Sequence, residues 1–393
     1  GIGPVMAKRI VKAFGPQALD IIEGQTDRLA EIQGIGPKRI AMIKQAWDEQ
    51  KEVRAVMLFL QSHGVSTAYA ARIFKTYGQD SIAVVQDNPF QLAEDIYGIG
   101  FITADRIAAN LGMDASAPQR VRAGVAYMLN QLADQGHVCF PRPELIEKTM
   151  ELLDLDPLRV ERALDALARE QKIIVEGQTE SSEEPDRRMV FLKKFHVCEL
   201  GISSGLTRLM NHARSNRTLD VQKALDWVQG QIRITLAPMQ REAVEAALTQ
   251  KVLVITGGPG TGKTTIINAI LKILKKAGAR TLLAAPTGRA AKRMSETTRA
   301  HSQTIHRLLD YSMKEAGFKR NNKNPLKCDV LIVDEASMID TVLAHHLLKA
   351  LPSKASLVLV GDVHQLPSVG PGNVLKDLIR SGSFCVVTLD TIF

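Results

Sequence analysis

Residues 252–264 read VLVITGGPGTGKT and join an apolar run to a glycine-rich loop. The loop, from Gly257 to Thr264, fits the pattern G-x-x-x-x-G-K-[ST], and a stretch with helical apolar periodicity follows it as far as Lys276. A buried strand, a glycine-rich loop and a helix in this order are the setting in which the pattern binds nucleotide phosphates. The stretch therefore predicts a nucleoside triphosphate site.

The residue types of this loop suit that chemistry. Glycines let backbone N–H groups wrap the phosphates, and the dipole of the following helix adds attraction. Lys263 is expected to reach the β- and γ-phosphates as a catalytic residue, and Thr264 is expected to hold Mg²⁺. The predicted nucleotide-binding residues of the loop and the helix start are Gly257, Gly258, Pro259, Gly260, Thr261, Gly262, Lys263, Thr264 and Thr265.

A second apolar run, Val330 to Val333, ends in two carboxylates. Asp334 is predicted to bind Mg²⁺, and Glu335 to act as the general base that orients the attacking water. Helical stretches separate most of the predicted strands, which indicates a parallel sheet with the site at the carboxyl ends of its strands. The other predicted strands are Thr281 to Ala285, Ser356 to Val360 and Cys385 to Leu389.

Composition excludes several protein classes. The chain has 393 residues, which suggests roughly two to three domains. Hydrophobic residues make up 45% and charged residues 23%, as in ordinary globular proteins. No apolar run reaches the length of about 18 residues that a membrane span needs. The four cysteines lie far apart, so neither zinc nor a disulfide framework is indicated, and a cytoplasmic location is expected.

The net charge of +8 is unevenly distributed. Residues 251–393 contain 20 basic and 10 acidic residues, whereas residues 1–113 contain 12 of each. A basic segment in an otherwise balanced chain indicates a polyanionic partner, most often nucleic acid. The alternative is a solvated, lysine-rich surface, and charge alone does not separate the two.

Four related segments fill the first third of the chain. Each starts with glycine, continues with isoleucine or valine, and has an isoleucine nine positions after the first glycine. The glycines predict a tight turn that uses positive φ, followed by a helix, and the exposed N–H groups of such a turn suit an anion. The segments are GIGPVMAKRI from Gly1, GIGPKRIAMI from Gly34, GVSTAYAARI from Gly64 and GIGFITADRI from Gly98.

These repeats resemble the helix-hairpin-helix motif, which grips a DNA backbone without reading its sequence. In the second repeat Gly34, Gly36 and Lys38 are the predicted DNA contacts. The balanced charge of residues 1–113 leaves a helical scaffold or a protein-docking surface open as the alternative. The third repeat lacks the second glycine and is expected to be structural.

The segment 114–200 has a different pattern, with longer amphipathic helices and then two strands. This order resembles a winged-helix fold. Residues 114–250 carry 18 basic and 20 acidic residues, so a structural or partner-binding role is favoured over insertion into a DNA groove. Residues 201–235 are predicted to be a helical linker. The predicted helices are 121–135, 142–153 and 157–171, and the strands 173–175 and 189–192, joined by the polar run 181–186.

Segments around the phosphate-binding loop resemble the nucleotide motifs of superfamily 1 helicases. Residues 236–240, LAPMQ, resemble the Q motif, whose glutamine (here Gln240) reads adenine in that family. Residues 334–338 resemble motif II. Residues 361–367, GDVHQLP, resemble motif III, in which the glutamine (here Gln365) senses the γ-phosphate and couples it to DNA. The resemblance thus implies ATP as the nucleotide and Gln365 as a further catalytic residue.

Two other segments resemble the family's DNA-binding motifs. Residues 285–291, APTGRAA, are similar to motif Ia, and residues 304–309, TIHRLL, to motif Ib. Both motifs line the track for single-stranded DNA in the family. The residues implied to face DNA are Pro286, Thr287, Arg289, Thr304 and His306.

Together with the repeats, these motifs make the sequence similar to the RecD-like, TraA-type helicases. The resemblance implies an ATP-dependent DNA helicase of 5′ to 3′ polarity that acts in recombination or repair, with a nuclease or recombination partner. The domains expected are tandem helix-hairpin-helix repeats (1–113), a winged-helix-like α+β domain (114–200), the linker (201–235) and a first RecA-like α/β domain (236–393). Two alternatives stay open: a non-catalytic, ATP- and DNA-binding subunit of a nuclease complex, and an AAA-type DNA-junction motor.

Family members also carry a second RecA-like domain, whose arginine completes the ATP site. The residues that would supply it lie beyond Phe393, and the first repeat opens inside its own motif, so the sequence is expected to be truncated at both ends. An arginine of this kind is worth orders of magnitude in rate. We therefore expect this span to bind ATP but to hydrolyse it poorly.

Overall fold

The computed structural model describes residues 3–177, 186–214, 219–313, 317–365 and 368–392. The chain divides into two compact units. One consists of Gly1–Tyr127 with Met150–Ala163, and the other of Met128–Thr149 with Leu164–Phe393. In the described residues no helix is long and apolar enough to cross a membrane.

The first unit is helical, and its repeats have the predicted turn geometry. Gly34, Gly64 and Gly98 have φ values of +94°, +80° and +91°, a region that glycine adopts without strain. The residue two positions on precedes each helix in extended conformation, and in the third repeat it is Ser66, whose Oγ accepts a hydrogen bond from Tyr69 N. The four repeat helices are Pro4–Phe14, Pro37–Ser62, Thr67–Tyr77 and Phe101–Asn110.

The repeats form two pairs, each with its own apolar core. Ile10 of the first repeat packs in one cluster with Ile35 and Ile43 of the second. Ile73 of the third repeat packs in another cluster with Ile107 of the fourth. The long helix Pro37–Ser62 contributes to both clusters. The other helices of this part are Ala18–Gly24, Ser81–Asp87 and Gln91–Asp95, with short 3-10 turns at Gly15–Gln17, Thr26–Glu31 and Gly78–Asp80.

Residues 118–192 contain the three predicted helices and three strands. The strand Met189–Leu192 lies in the middle of an antiparallel sheet, paired with Cys139–Pro141 on one side and Ile173–Glu176 on the other. The sequence did not predict Cys139–Pro141, which is only three residues long. Residues 178–185, which hold most of the polar run predicted between the two strands, lie outside the described residues. The helices are Pro118–Asp134, Arg142–Leu153 and Pro157–Arg169.

The second unit is built on a six-stranded sheet in which every pairing is parallel. This confirms the α/β fold expected for residues 236–393. Val252–Gly257, Val330–Val333 and Ser356–Gly361 are buried along their whole length, as strands covered by helices on both faces are. In spatial order the strands are Cys385–Leu389, Val252–Gly257, Ser356–Gly361, Val330–Val333, Thr281–Ala285 and Ser302–Thr304.

The helix Pro238–Thr249 precedes the first strand of this sheet in the chain, and the other helices around the sheet come after one of its strands. A small hairpin of Tyr311–Ser312 and Gly317–Phe318 comes before the loop at 319–325, and the 3-10 turn Ala336–Met338 follows the carboxylate pair. The helices are Pro238–Thr249, Lys263–Lys276, Gly288–Thr298, Ile305–Leu308, Thr341–Ala350 and Val374–Arg380.

The segment 201–235, predicted to be a helical linker, contains the second half of the helix Lys193–Met210 and the whole helix Val221–Ile232. The first packs against the helix Thr341–Ala350. Gly201 lies directly on the ring of His345, and a Cβ at Gly205 would be 3.0 Å from the Cβ of Leu348. Because these positions lack side chains, the two helix backbones approach closely. Residues 201–210 therefore belong to the core of the second unit.

We predict that Gly201→Ala lowers the free energy of unfolding of the second unit by about 1–3 kcal/mol, because the new methyl group overpacks the contact with His345. Gly230→Ala is the matched control: it also lies in a helix but has no neighbour within 4 Å, so it should raise stability by about 0.5–1 kcal/mol. Urea unfolding would be followed by the fluorescence of Trp227 in a Trp47→Phe background. Equal effects of the two substitutions would contradict the packing role of Gly201.

Candidate nucleotide site and DNA-facing residues

The phosphate-binding loop joins the strand Val252–Gly257 to the helix Lys263–Lys276. Gly260 and Gly262 have φ values of +82° and +81°, and this backbone curls the loop around the side chain of Lys263. The Lys263 ammonium donates hydrogen bonds to Gly257 O at 2.6 Å and Gly258 O at 2.7 Å. A cation held at the helix N-terminus, among N–H groups that need acceptors, is suited to phosphate oxygens.

Gln240, the predicted adenine reader, is buried at 5% exposure and bonded to this loop. Its Nε2 donates to Thr261 O at 3.2 Å, and its Oε1 accepts from Ala237 N at 3.2 Å. Thr261 in turn donates from Oγ1 to Gly258 O at 2.9 Å. The amide of Gln240 thus ties the start of the helix Pro238–Thr249 to the phosphate-binding loop.

Asp334 and Glu335 follow the strand Val330–Val333 directly. Burial raises the pKa of the Asp334 carboxyl above its ordinary value, although the Glu335 amide and the cations Lys263 and Arg293 act in the opposite direction. Asp334 Oδ1 accepts a hydrogen bond from Glu335 N at 2.9 Å. Glu335 has a φ of +52°, an uncommon conformation for glutamate that is typical of residues constrained at functional sites.

The donor set fits Mg²⁺. A half-buried carboxylate whose pKa is raised by desolvation gains from a neighbouring cation, and Mg²⁺ is usually held by one or two carboxylates with substrate phosphates and waters. Within the described ranges no cluster of three or more His, Cys, Asp or Glu residues could hold a metal alone. Thr264 and Asp334 therefore match the sparse protein ligation that this ion accepts.

Gln365 follows the strand Ser356–Gly361, which lies between the strands of the loop and of the carboxylate pair. Its backbone N donates to Asp362 O at 3.2 Å, and the buried Asp362 carboxylate accepts from His364 N at 3.0 Å. A Cβ at Gly361 would lie 3.0 Å from Ser337 N. The strand end before Gln365 therefore touches the turn after Glu335. Leu366 and Pro367 of this motif are not among the described residues.

The residues expected to face DNA lie at the carboxyl ends of two neighbouring strands or just after them. Thr281–Ala285 pairs in parallel with Ser302–Thr304, and Ala285 is opposite Thr304 in the register. Thr287 and Thr304 each cap a helix, since their Oγ1 atoms accept from Ala290 N at 3.2 Å and Arg307 N at 3.3 Å. The sheet therefore brings the segments of Pro286 and Thr287 and of Thr304 and His306 together. Arg289 and His306 are exposed.

The repeat residues lie in the other unit. Lys38 is exposed in the first turn of the helix Pro37–Ser62. Arg39, the next residue, donates from Nη1 to Gly34 O at 2.9 Å. Arg9 donates to Gln33 O at 3.1 Å, in the turn of the second repeat. These two arginines therefore brace the turn, and the contacts of Gly34, Gly36 and Lys38 with DNA stay a prediction.

An aromatic cluster beside His306 was missed by the sequence analysis. The His306 ring centroid lies 5.8 Å from that of Tyr311 and 5.6 Å from that of Phe318. Phe318 also packs at 4.7 Å on His346 of the helix Thr341–Ala350. Tyr311 is 46% exposed. The signal available in the sequence was weak, because aromatic residues are only 5% of the chain and His346 lies 28 residues after Phe318.

We predict that Gln240→Ala weakens ATP and GTP binding by similar factors, of about 10-fold, because the substitution leaves Thr261 O and Ala237 N without their buried partner. Equilibrium titration with fluorescent analogues of both nucleotides would measure this. Gln250→Ala, at an exposed glutamine beyond the end of the same helix, is the control. A loss confined to ATP would instead indicate that Gln240 contacts only the base.

Comparison with known proteins gives three family matches that together cover most of the chain. Residues 1–49 match the SAM-like helix-hairpin-helix tandem, residues 49–139 the helix-hairpin-helix domain of ATP-dependent RecD2 DNA helicase, and residues 240–371 an AAA domain. The boundary at 49 falls inside the long helix that joins the two repeat pairs.

Similar proteins include the ATP-dependent RecD2 DNA helicase of Deinococcus radiodurans, which is 32% identical over 97% of this chain and 53% of its own length. The RecBCD enzyme subunit RecD of Mycolicibacterium smegmatis is 41% identical over 39% of this chain and 32% of its own length. The chain thus spans about half the length of the RecD2 relative.

Among solved structures, the Pif1 helicase of Candida albicans is 24% identical over 41% of each chain, with a TM-score of 0.32, too low to establish a shared fold by itself. The sequence relatives and the family matches agree with the motifs and with the observed sheet. Together these matches support a RecD-like helicase of superfamily 1 with helix-hairpin-helix repeats in the first third of the chain.

Proposed function

We propose that the chain carries the ATP-binding part of an ATP-dependent DNA helicase that moves 5′ to 3′ along one strand in recombination or repair. The observation that supports this best is the convergence of three strand ends at one edge of the parallel sheet. That edge holds the loop around Lys263, the carboxylates Asp334 and Glu335, and the segment of Gln365. A cytoplasmic location is part of the proposal.

In this proposal ATP binding begins with Lys263. Its ammonium exchanges the carbonyl oxygens of Gly257 and Gly258 for β- and γ-phosphate oxygens. Thr264 and Asp334 would hold Mg²⁺, which supplies positive charge beside the β- and γ-phosphates when it is bound. Glu335 orients the attacking water and accepts its proton.

The same proposal assigns Gln365 the role of sensing the γ-phosphate. Its segment is attached to the strand end at Gly361, which touches the backbone of the turn after Glu335. A shift at the carboxylate pair therefore displaces the segment that carries Gln365. Tight backbone packing of this kind moves as a unit, because a closely packed interior has no slack to absorb a displacement.

For the DNA track we propose Pro286, Thr287, Arg289, Thr304 and His306, with Tyr311 as an additional stacking residue. The support is the pairing of Ala285 with Thr304 and the exposed ring of Tyr311 beside His306. An aromatic ring suits bases of any identity. The repeat turn with Gly34, Gly36 and Lys38 is proposed as a separate contact with the phosphate backbone.

A nuclease complex is the second candidate setting. Several similar proteins are named RecBCD enzyme subunit RecD, among them those of Mycobacterium tuberculosis and Haemophilus influenzae. By analogy we propose that the protein can work beside a nuclease or recombination partner. An ATP-liganded subunit without motor activity is the corresponding alternative.

We predict that Lys263→Ala weakens nucleotide binding by about 10- to 100-fold, because charge-assisted hydrogen bonds to phosphate are lost. Glu335→Gln should leave binding within about twofold and lower DNA-stimulated phosphate release about 100-fold or more. Titration with a fluorescent ATP analogue and phosphate-release assays on the full-length protein would test both. Lys275→Ala, an exposed lysine of the same helix, is the control. Unchanged affinity in Lys263→Ala would overturn the assigned nucleotide site.

A strand-separation assay tests the motor itself. We predict that the full-length protein with ATP unwinds a duplex with a 5′ single-stranded tail and leaves the matching 3′-tailed duplex intact. Lys263→Ala should abolish the unwinding. Unwinding of only the 3′-tailed duplex would contradict the polarity, and DNA and ATP binding without unwinding would favour the non-catalytic subunit.

A further inference from the structure

Residues 368–372, which come after Gln365 in the chain, form a compact turn against other parts of the second unit. Ser368 donates from Oγ to Gly370 O at 2.7 Å and to Gly372 O at 2.8 Å, which closes the turn on itself. Gly372 N then donates to Gly136 O at 2.9 Å. Gly372, seven residues after Gln365, is thus hydrogen-bonded to the turn that precedes the strand Cys139–Pro141.

Thr341 links this loop to a second element. It is fully buried, its N donates to Pro371 O at 3.0 Å, and its Oγ1 donates to the Glu199 carboxylate at 3.1 Å. Glu199 belongs to the helix Lys193–Met210. One threonine therefore bonds at the same time to the loop after Gln365 and to the helix that precedes the ATPase sheet.

The packing around Thr341 requires glycine at position 372. Gly372 has a φ of +96°, and a Cβ there would overlap Thr341 Oγ1 and lie 3.2 Å from Val138 Cγ1. Gly370 likewise lies against the carboxylate of Asp340, which caps the helix Thr341–Ala350 through Leu343 N at 2.7 Å. The loop and the helix start are therefore in direct contact along several residues.

The other end of this chain of contacts is the nucleotide site. Thr341 comes six residues after Glu335, and the intervening turn Ala336–Met338 touches the strand end at Gly361. The helix that Thr341 begins is packed on Lys193–Met210 through Gly201. A displacement of residues 368–372 must therefore either move Gly136 and Thr341 with it or break the hydrogen bonds that join them.

We propose that Thr341 and Gly372 are positioning residues that couple the nucleotide-sensing segment at Gln365 to the turn at 136–138 and to the helix Lys193–Met210. The coupling rests on the proposed nucleotide site and extends it, since it assigns a route by which residues N-terminal to the ATPase sheet respond to ATP. By linkage the route works in both directions, so a ligand that shifts residues 136–138 would alter nucleotide affinity by the same factor.

Hydrogen-exchange mass spectrometry of the chain, with and without Mg²⁺ and a slowly hydrolysed ATP analogue, tests the coupling. In the wild type we expect the nucleotide to slow exchange in the phosphate-binding loop and also, by about fivefold, in peptides covering 136–138 and 193–200. In Thr341→Val and in Gly372→Ala the loop should stay protected while the remote protection is lost. Thr341→Ser keeps the hydroxyl group and should restore it.

Ser204→Ala is the control, because Ser204 is an exposed residue of the helix Lys193–Met210, which also carries Glu199. Remote protection that persists in Thr341→Val and Gly372→Ala, or that is absent from the wild type while the loop is protected, would overturn the coupling alone. Lack of protection in the phosphate-binding loop would overturn the proposed nucleotide site, and the coupling with it. Loss of remote protection in Thr341→Ser as well as in Thr341→Val would exclude the hydroxyl group as its cause.

Discussion

The parallel pairing of Ser356–Gly361 with Val252–Gly257 on one side and Val330–Val333 on the other is the constraint on which the nucleotide site depends. In the register Gly361 is opposite Thr256 and Leu359 is opposite Val333, so the phosphate-binding loop, the carboxylate pair and the segment of Gln365 leave the sheet at nearly the same level. All three strands are buried along their length. A slip of one residue would take every side chain of a strand out of the close packing formed on both faces of the sheet, so packing fixes the register and the register fixes the site.

Close backbone contacts extend this order beyond the sheet. Gly361 allows the strand end to touch the turn after Glu335, Gly372 allows the next loop to touch Thr341, and Gly201 allows the helix Lys193–Met210 to lie on His345. Each contact replaces a side chain by direct backbone packing, which leaves little room for independent movement. In the same arrangement a methyl group at any of these positions would overlap a neighbour. Substitution there would therefore lower the stability of the second unit as well as disturb the contacts that could transmit movement.

The helix-hairpin-helix part follows a different principle. Each repeat has too few apolar residues for a core of its own, so two repeats share one, and the long helix Pro37–Ser62 contributes to both cores. Arg9 in the first pair and Arg72 in the second occupy the same place in their repeats, and each donates to the turn of its partner repeat, at Gln33 O and Tyr97 O. The pair is thus the structural unit, and its arginines stabilise turns as well as adding positive charge.

The sequence by itself determined three things: the parallel α/β class of residues 236–393, the repeats with their turn conformations, and the resemblance to a family. All three depend on local patterns, namely uninterrupted apolar strands, the spacing of glycine and isoleucine, and motifs such as G-x-x-x-x-G-K-[ST]. The nucleotide and DNA roles of individual residues stay predictions. Only the tertiary structure decided the pairing of the repeats, the short strand Cys139–Pro141, the packing of residues 201–210 into the second unit and the aromatic cluster around Phe318. Gln240 shows the reason most clearly: its motif predicts contact with adenine, whereas the buried hydrogen bond from its Nε2 to Thr261 O depends on a loop 21 residues later in the chain. Contacts between residues far apart in sequence leave no periodic or spaced signal, so they emerge only when the chain is folded.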